Sequence, residues 1–139
     1  MSNTFFSGQR PALQGKRIMV AEDETMIAMM MREALADAGA LVLGPVASVR
    51  DALHLADAAA GSGRISAAVV DVKLGHEQAI CVADALRERG VPFLFATGYD
   101  QHPGFKYHRD VPVLCKPYGP DDLIRVVESL CQVKGAFAA

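Results

Sequence analysis

The sequence predicts an α/β fold, a doubly wound parallel sheet with helices on both faces. Three observations lead to it. Strand-like and helix-like stretches alternate along 139 residues, the strand-like runs are apolar throughout, and several of them close in a charged or hydroxyl residue. Runs such as Val69-Val70 and Phe93-Leu94-Phe95 suit strands covered on both faces rather than half-exposed antiparallel ones. Repeated βα units in a chain of single-domain length favour one parallel sheet.

Met1 to Gly15 carry Ser, Asn, Gln, Gly and Pro without periodicity and read as a flexible arm, Phe5 and Phe6 included. Arg17-Ile18-Met19-Val20-Ala21 is a buried strand ending at acids. Thr25 to Gly39 follows with Ile27, Met30, Met31, Ala34, Leu35 and Ala38 at helical spacing, and Gly39 is its stop. The Met26, Met29, Met30, Met31 cluster reads as packing of this helix. Ala40 to Val46 is the second strand. Ser48 can N-cap a helix bearing Val49, Leu53, Ala56 and Ala60 that ends in Gly61-Ser62-Gly63.

Ala67-Ala68-Val69-Val70-Asp71 is the third strand, and the spacing predicts a third helix from Glu77 to Arg89 with Gly90 as its stop. Pro92 to Thr97 is the fourth strand. Gly98 to Asp110 is polar and broken by Pro103 and Gly104, so a helix there would be short. Val111 to Cys115 is the fifth strand and Asp121 to Val133 the last helix, with Leu123, Val126, Val127 and Leu130 on one face. The resulting organisation is an arm at 1–15, a folded domain at 16–134 and a short tail at 135–139.

Apolar residues make up 51% and charged residues 22%, enough for a core and a soluble surface. Lys and Arg number 14 against 16 Asp and Glu, so no basic stripe marks a nucleic-acid partner. No apolar run approaches a membrane span and no signal-peptide core is present. The expectation is a cytoplasmic chain with no membrane insertion. Cys81, Cys115 and Cys131 have no metal-ligand spacing and read as reduced thiols in the core. His54, His76, His102 and His108 are scattered and read as solvated.

Open α/β sheets bind ligands at the carboxyl ends of their strands. The residues there are Glu22 and Asp23, Asp71, Thr97 and Lys116. Carboxylates converging in one crevice repel one another unless a cation sits among them. Oxygen-only ligands suit Mg²⁺. A carboxylate nucleophile, a divalent cation, a Lys and a hydroxyl make a phosphoryl-transfer site that works by positioning and charge neutralisation. Each residue has an ordinary role when taken alone: Glu22 and Asp23 could cap the first helix, and Lys116 could be a surface Lys.

The segments Ala21-Glu22-Asp23-Glu24, Val69-Val70-Asp71-Val72-Lys73-Leu74, Ala96-Thr97-Gly98 and Cys115-Lys116-Pro117 together resemble the receiver domain of two-component response regulators. The resemblance covers about Lys16 to Val133. It implies the flavodoxin-like, CheY-like strand order 2-1-3-4-5. It further implies Asp71 as phosphoacceptor, and Glu22, Asp23, Asp71 and the backbone carbonyl of Lys73 as ligands of Mg²⁺ or Mn²⁺. Lys116 would pair with the phosphoryl oxygens before a typically cis bond to Pro117, and Thr97 would move toward the phosphoryl group. The family usually places Pro four residues and Gly eight residues after the phosphoacceptor; here Gly75 and Ala79 stand there. Val113 occupies the place of the usual switch aromatic. These departures, with Phe95-Ala96-Thr97-Gly98-Tyr99, resemble the FAT GUY subgroup and make Tyr99 a candidate switch residue.

The function this implies is a stand-alone response regulator. It takes a phosphoryl group from a histidine kinase or phosphotransfer protein and signals to a downstream protein or serves as a phosphate sink. A homodimer is compatible with this role. The chain would be a signalling protein whose only catalysis is its own phosphorylation and dephosphorylation. The alternatives are a pseudo-receiver that binds proteins without being phosphorylated, and an unrelated enzyme on the same fold. Against the latter, the Glu-Asp-Glu-Thr turn lacks a phosphate loop and Asp71-Val72-Lys73 is not a DxD motif.

Overall fold

The computed structural model describes residues 11–62, 64–98 and 108–132. In chain order the elements are β1 (Arg17–Ala21), α1 (Thr25–Asp37), β2 (Leu41–Val46), α2 (Val49–Ser62) and β3 (Ala67–Asp71). A small hairpin, β4 (Lys73–Leu74) and β5 (Glu77–Gln78), precedes α3 (Ile80–Glu88), β6 (Phe93–Thr97), β7 (Val113–Cys115) and α4 (Pro120–Gln132). The main sheet runs β2-β1-β3-β6-β7 with every pairing parallel. Counting only its five strands, this is the expected 2-1-3-4-5 order.

The strands separate two cores by simple alternation. Ala68 and Val70 of β3 and Phe93 and Phe95 of β6 face one side, where Ala52 and Ala56 of α2 and Val82 and Leu86 of α3 cover them. Ala67, Val69, Leu94 and Ala96 face the other, under Met31 and Leu35 of α1 and Leu123 and Val127 of α4. All residues of β3 and β6 are buried, each large side chain contributing about 1.5–3 kcal/mol. Gly39 (φ +98°) and Gly90 (φ +70°) end α1 and α3 in the left-handed conformation. In each case the N–H of the glycine and that of the next residue bond back into the last turn, Gly39 to Ala36 and Ala40 to Leu35, and Gly90 to Arg87 and Val91 to Leu86. Ser48 Oγ accepts from the Asp51 N–H at 3.0 Å, as its N-capping role requires.

Several expectations are corrected. Residues 11–15, assigned to the arm, pack on the domain: Leu13 is fully buried and its N–H donates to the Ala38 carbonyl at 2.8 Å. Residues 1–10 lie outside the described residues, as does the tail. The third helix begins at Ile80 rather than Glu77, because Gly75 and His76 turn the chain back and Glu77 and Gln78 pair with β4. The fifth strand is shortened to Val113–Cys115.

Cys81 and Cys115 are exposed rather than in the core, Cys131 is half-buried, and all three are free. Met31 is buried, but Met26 (77% exposed) and Met29 face solvent. His108 is not solvated. Only 3% exposed, it packs edge-on against Phe93 and Phe95. Its Nδ1 accepts from Arg87 Nε at 3.3 Å, which leaves the proton on Nε2 to donate to Asp84 Oδ1 at 2.9 Å. The Arg87 guanidinium also bonds Asp110 and holds its carboxyl below the usual range. No helix among the described residues is long and apolar enough to cross a membrane.

Candidate functional site

Sheet register brings the strand ends level. Ala21 pairs with Val70, Asp71 with Ala96, and Thr97 with Cys115. The residues that follow or close β1, β3, β6 and β7 therefore line one edge of the sheet. Ligand atoms of Glu22, Asp23 and Asp71 lie within 4.8 Å of one another. Lys116 Nζ stands 3.6 Å from Glu22 Oε1, 3.6 Å from Asp71 Oδ2 and 3.9 Å from Glu24 Oε1.

Each carboxylate has its own support. Glu22 is buried, and its Oε2 accepts from the Glu24 N–H at 3.0 Å. Its Oε1 is buried and accepts no hydrogen bond from the described residues. Burial pushes the Glu22 carboxyl up to about 8, and the nearby Asp71 adds to the shift, while the Glu24 N–H and Lys116 act the other way. Asp71 Oδ1 accepts from the Lys73 N–H at 3.2 Å. Asp23, which is exposed, accepts on Oδ2 from the Gly75 N–H at 2.8 Å. The simple helix-cap role for Glu22 and Asp23 is not what forms: the α1 N-cap is Glu24, with no side-chain capping bond.

Thr97 is buried at the end of β6, and its carbonyl accepts from the Lys116 N–H at 2.8 Å, which locks the two strand ends together. The Lys116–Pro117 bond is cis. Lys73, whose carbonyl is an expected ligand, lies in β4 beside Asp71. Tyr99 lies outside the described residues, and Val113 is partly exposed. Two participants are absent from the sequence reading. Glu24 comes within reach of Lys116, and the Tyr118 hydroxyl is buried without a hydrogen-bond partner among the described residues. Burial and the negative charge of Glu22, Asp71 and Glu24 raise the Tyr118 phenol. The acidic Glu22-Asp23-Glu24 run and the aromatic after Lys116-Pro117 were the signals available for them.

Comparison with solved structures places the same fold in receiver domains. A response regulator receiver protein from Sinorhizobium medicae matches with TM-score 0.71 and 25% identity, over 87% of this chain and 98% of that one. The signal receiver domain of a modulated diguanylate cyclase from Desulfovibrio desulfuricans matches with TM-score 0.69 and 27% identity, over 83% and 92%. A CheY-like receiver domain from Methanospirillum hungatei gives TM-score 0.70 at 23% identity, over 84% and 93%. Among curated proteins, the transcriptional regulatory protein PdtaR of Mycobacterium tuberculosis is 26% identical over 117 residues, 81% of this chain and 55% of that protein. The chain thus spans about half the length of the curated relatives it matches. No family profile matches. The chain has the flavodoxin-like fold of CheY-type receivers, and this likeness supports a response-regulator role.

Proposed function

We propose that the chain is a phosphorylatable receiver that takes a phosphoryl group on Asp71 from a histidine kinase or phosphotransfer protein in the cytoplasm. The observation that carries this reading is the single convergence of Asp71, Glu22, Asp23 and Lys116 at one sheet edge. A carboxylate oxygen of Asp71 attacks phosphorus, the donor's P–N bond breaks, and the leaving imidazole takes up a proton. Lys116 lies where it can pair with the transferred group, and the Thr97 hydroxyl is the donor that would follow it. The segment after Thr97, Tyr99 included, is where this reading puts the change seen by a protein partner.

The donor set fits a hard divalent cation, because it is all oxygen and includes a buried Glu22 oxygen with no hydrogen bond from the described residues. Glu22, Asp23, Asp71 and the Lys73 carbonyl would hold Mg²⁺ or Mn²⁺, which supplies charge neutralisation for the phosphoryl oxygens. A pseudo-receiver would have no use for this clustering. Incubation with acetyl phosphate and Mg²⁺ discriminates the readings by intact mass. One added phosphoryl group supports the receiver, steady donor turnover supports an enzyme, and no addition supports the pseudo-receiver.

Glu22 gives a pH prediction. Its folded carboxyl sits near 8 against an ordinary 4.5, so the folded chain keeps a proton that the unfolded chain releases. The associated stability is full below about 4.5 and is lost as pH rises through about 8. In chelator, stability should therefore fall by on the order of 5 kcal/mol across this window. Asp110, held low by Arg87, titrates below it. Urea unfolding at several pH values reads this out. Glu22→Gln should flatten the profile, and millimolar Mg²⁺ should offset the loss by binding the folded state. A profile flat in the native chain would contradict the assignment.

A further inference from the structure

The β4–β5 hairpin supplies backbone donors to the carboxylates on either side of it. Lys73 gives its N–H to Asp71, and Gly75 gives its own to Asp23 at 2.8 Å, across 52 positions of sequence. The hairpin is closed by Gly75 and His76, with Leu74 pairing Glu77. Such two-residue turns need positive φ, and Gly75 has φ +63°. With the turn in that conformation, its N–H faces Asp23 Oδ2. Leu74, 1% exposed, pins the hairpin to the core, and the Ala79 N–H donates to the Val72 carbonyl at 2.7 Å, closing its base. Pro, usual at this place in the family the sequence resembles, has no N–H to give and cannot take positive φ.

We propose that Gly75 is a positioning residue of the site: its amide, held by left-handed backbone, fixes the orientation of the Asp23 carboxylate for a divalent cation. This rests on the metal reading above and adds to it an orienting group outside the carboxylates themselves. Loss of such supporting bonds typically weakens metal binding about 10- to 100-fold.

The site allows a clean test, because a Cβ added at Gly75 would meet nothing within 4 Å. A side chain therefore has room, and only the backbone conformation is challenged. Ala resists positive φ and Asn tolerates it, while both keep the N–H. Magnesium affinity of the unphosphorylated chain is measured by calorimetry or amide-shift titration. Gly75→Ala should bind Mg²⁺ at least about tenfold more weakly, and Gly75→Asn should recover most of the affinity. Equal affinity in Gly75→Ala, or no recovery in Gly75→Asn, overturns the proposal.

A second measurement, made in chelator, separates this inference from the metal reading. The Gly75 amide should exchange slowly in the native chain and about tenfold or more faster in Asp23→Ala. Unchanged exchange overturns the Gly75–Asp23 link whether or not magnesium binds. If the native chain binds no magnesium yet the exchange result holds, the metal reading fails, and with it the role given to Gly75 toward a cation.

Discussion

Asp71→Asn is expected to abolish phosphoryl incorporation from acetyl phosphate or a kinase while leaving the fold intact. Asn keeps an oxygen for the Lys73 N–H but has no anionic nucleophile. Neither neighbour can replace it. Glu22 is buried with its carboxyl raised to about 8, so near neutral pH it is largely protonated and poorly nucleophilic. Asp23 lies beyond the sheet edge and is tied to Gly75. Intact mass after donor treatment, with thermal unfolding alongside, checks both parts. A variant that folds and still gains one phosphoryl group removes Asp71 from its role.

Lys116→Ala should separate binding from response. Its ammonium lies 3.6 Å from Glu22 and Asp71 and 3.9 Å from Glu24. There it competes with any cation drawn to the same acids. Without it, Mg²⁺ should bind more tightly, by roughly tenfold or about 1.4 kcal/mol. The phosphorylated variant should nevertheless show little change beyond the site. Lys116 is the side chain through which the β7 end meets Asp71, while its N–H ties that end to Thr97. Amide spectra with and without phosphorylation measure this. Shifts through β6, β7 and α4 equal to those of the native chain would contradict the role.

Much of this arrangement was legible because strand cores and strand ends leave local marks. An apolar run such as Ala67 to Val70 closing in Asp71 can only be a buried strand that delivers an acid to its edge. Several such runs fix which residues meet, without knowledge of the helices. What escaped depends on partners distant in sequence. Leu13 reads as arm until Ala38 is placed beside it. A single His at 108 carries no sign that Phe93, Phe95, Asp84 and Arg87 will enclose it. Met26 and Met29 lie off the face that helical spacing picks out, and they read as packing only because they adjoin the buried Met31 in sequence. The hairpin was hidden for another reason. Glu77 and Gln78 favour helix by propensity, and their pairing with Lys73 and Leu74 is imposed by the turn at Gly75. The consequence of Gly75 for Asp23 then needed a backbone angle that no residue pattern shows.

The central claim is that Asp71 itself carries the phosphoryl group in a cation-dependent reaction. An aspartyl phosphate is an acyl phosphate, and hydride reduction cleaves it to leave homoserine at the modified position. The decisive measurement is borohydride treatment of the chain after acetyl phosphate and Mg²⁺, followed by peptide mass mapping. The expected result is homoserine at position 71, absent when a chelator replaces the metal. Homoserine at another carboxylate, or a phosphoryl mass that maps elsewhere or persists in chelator, would contradict it.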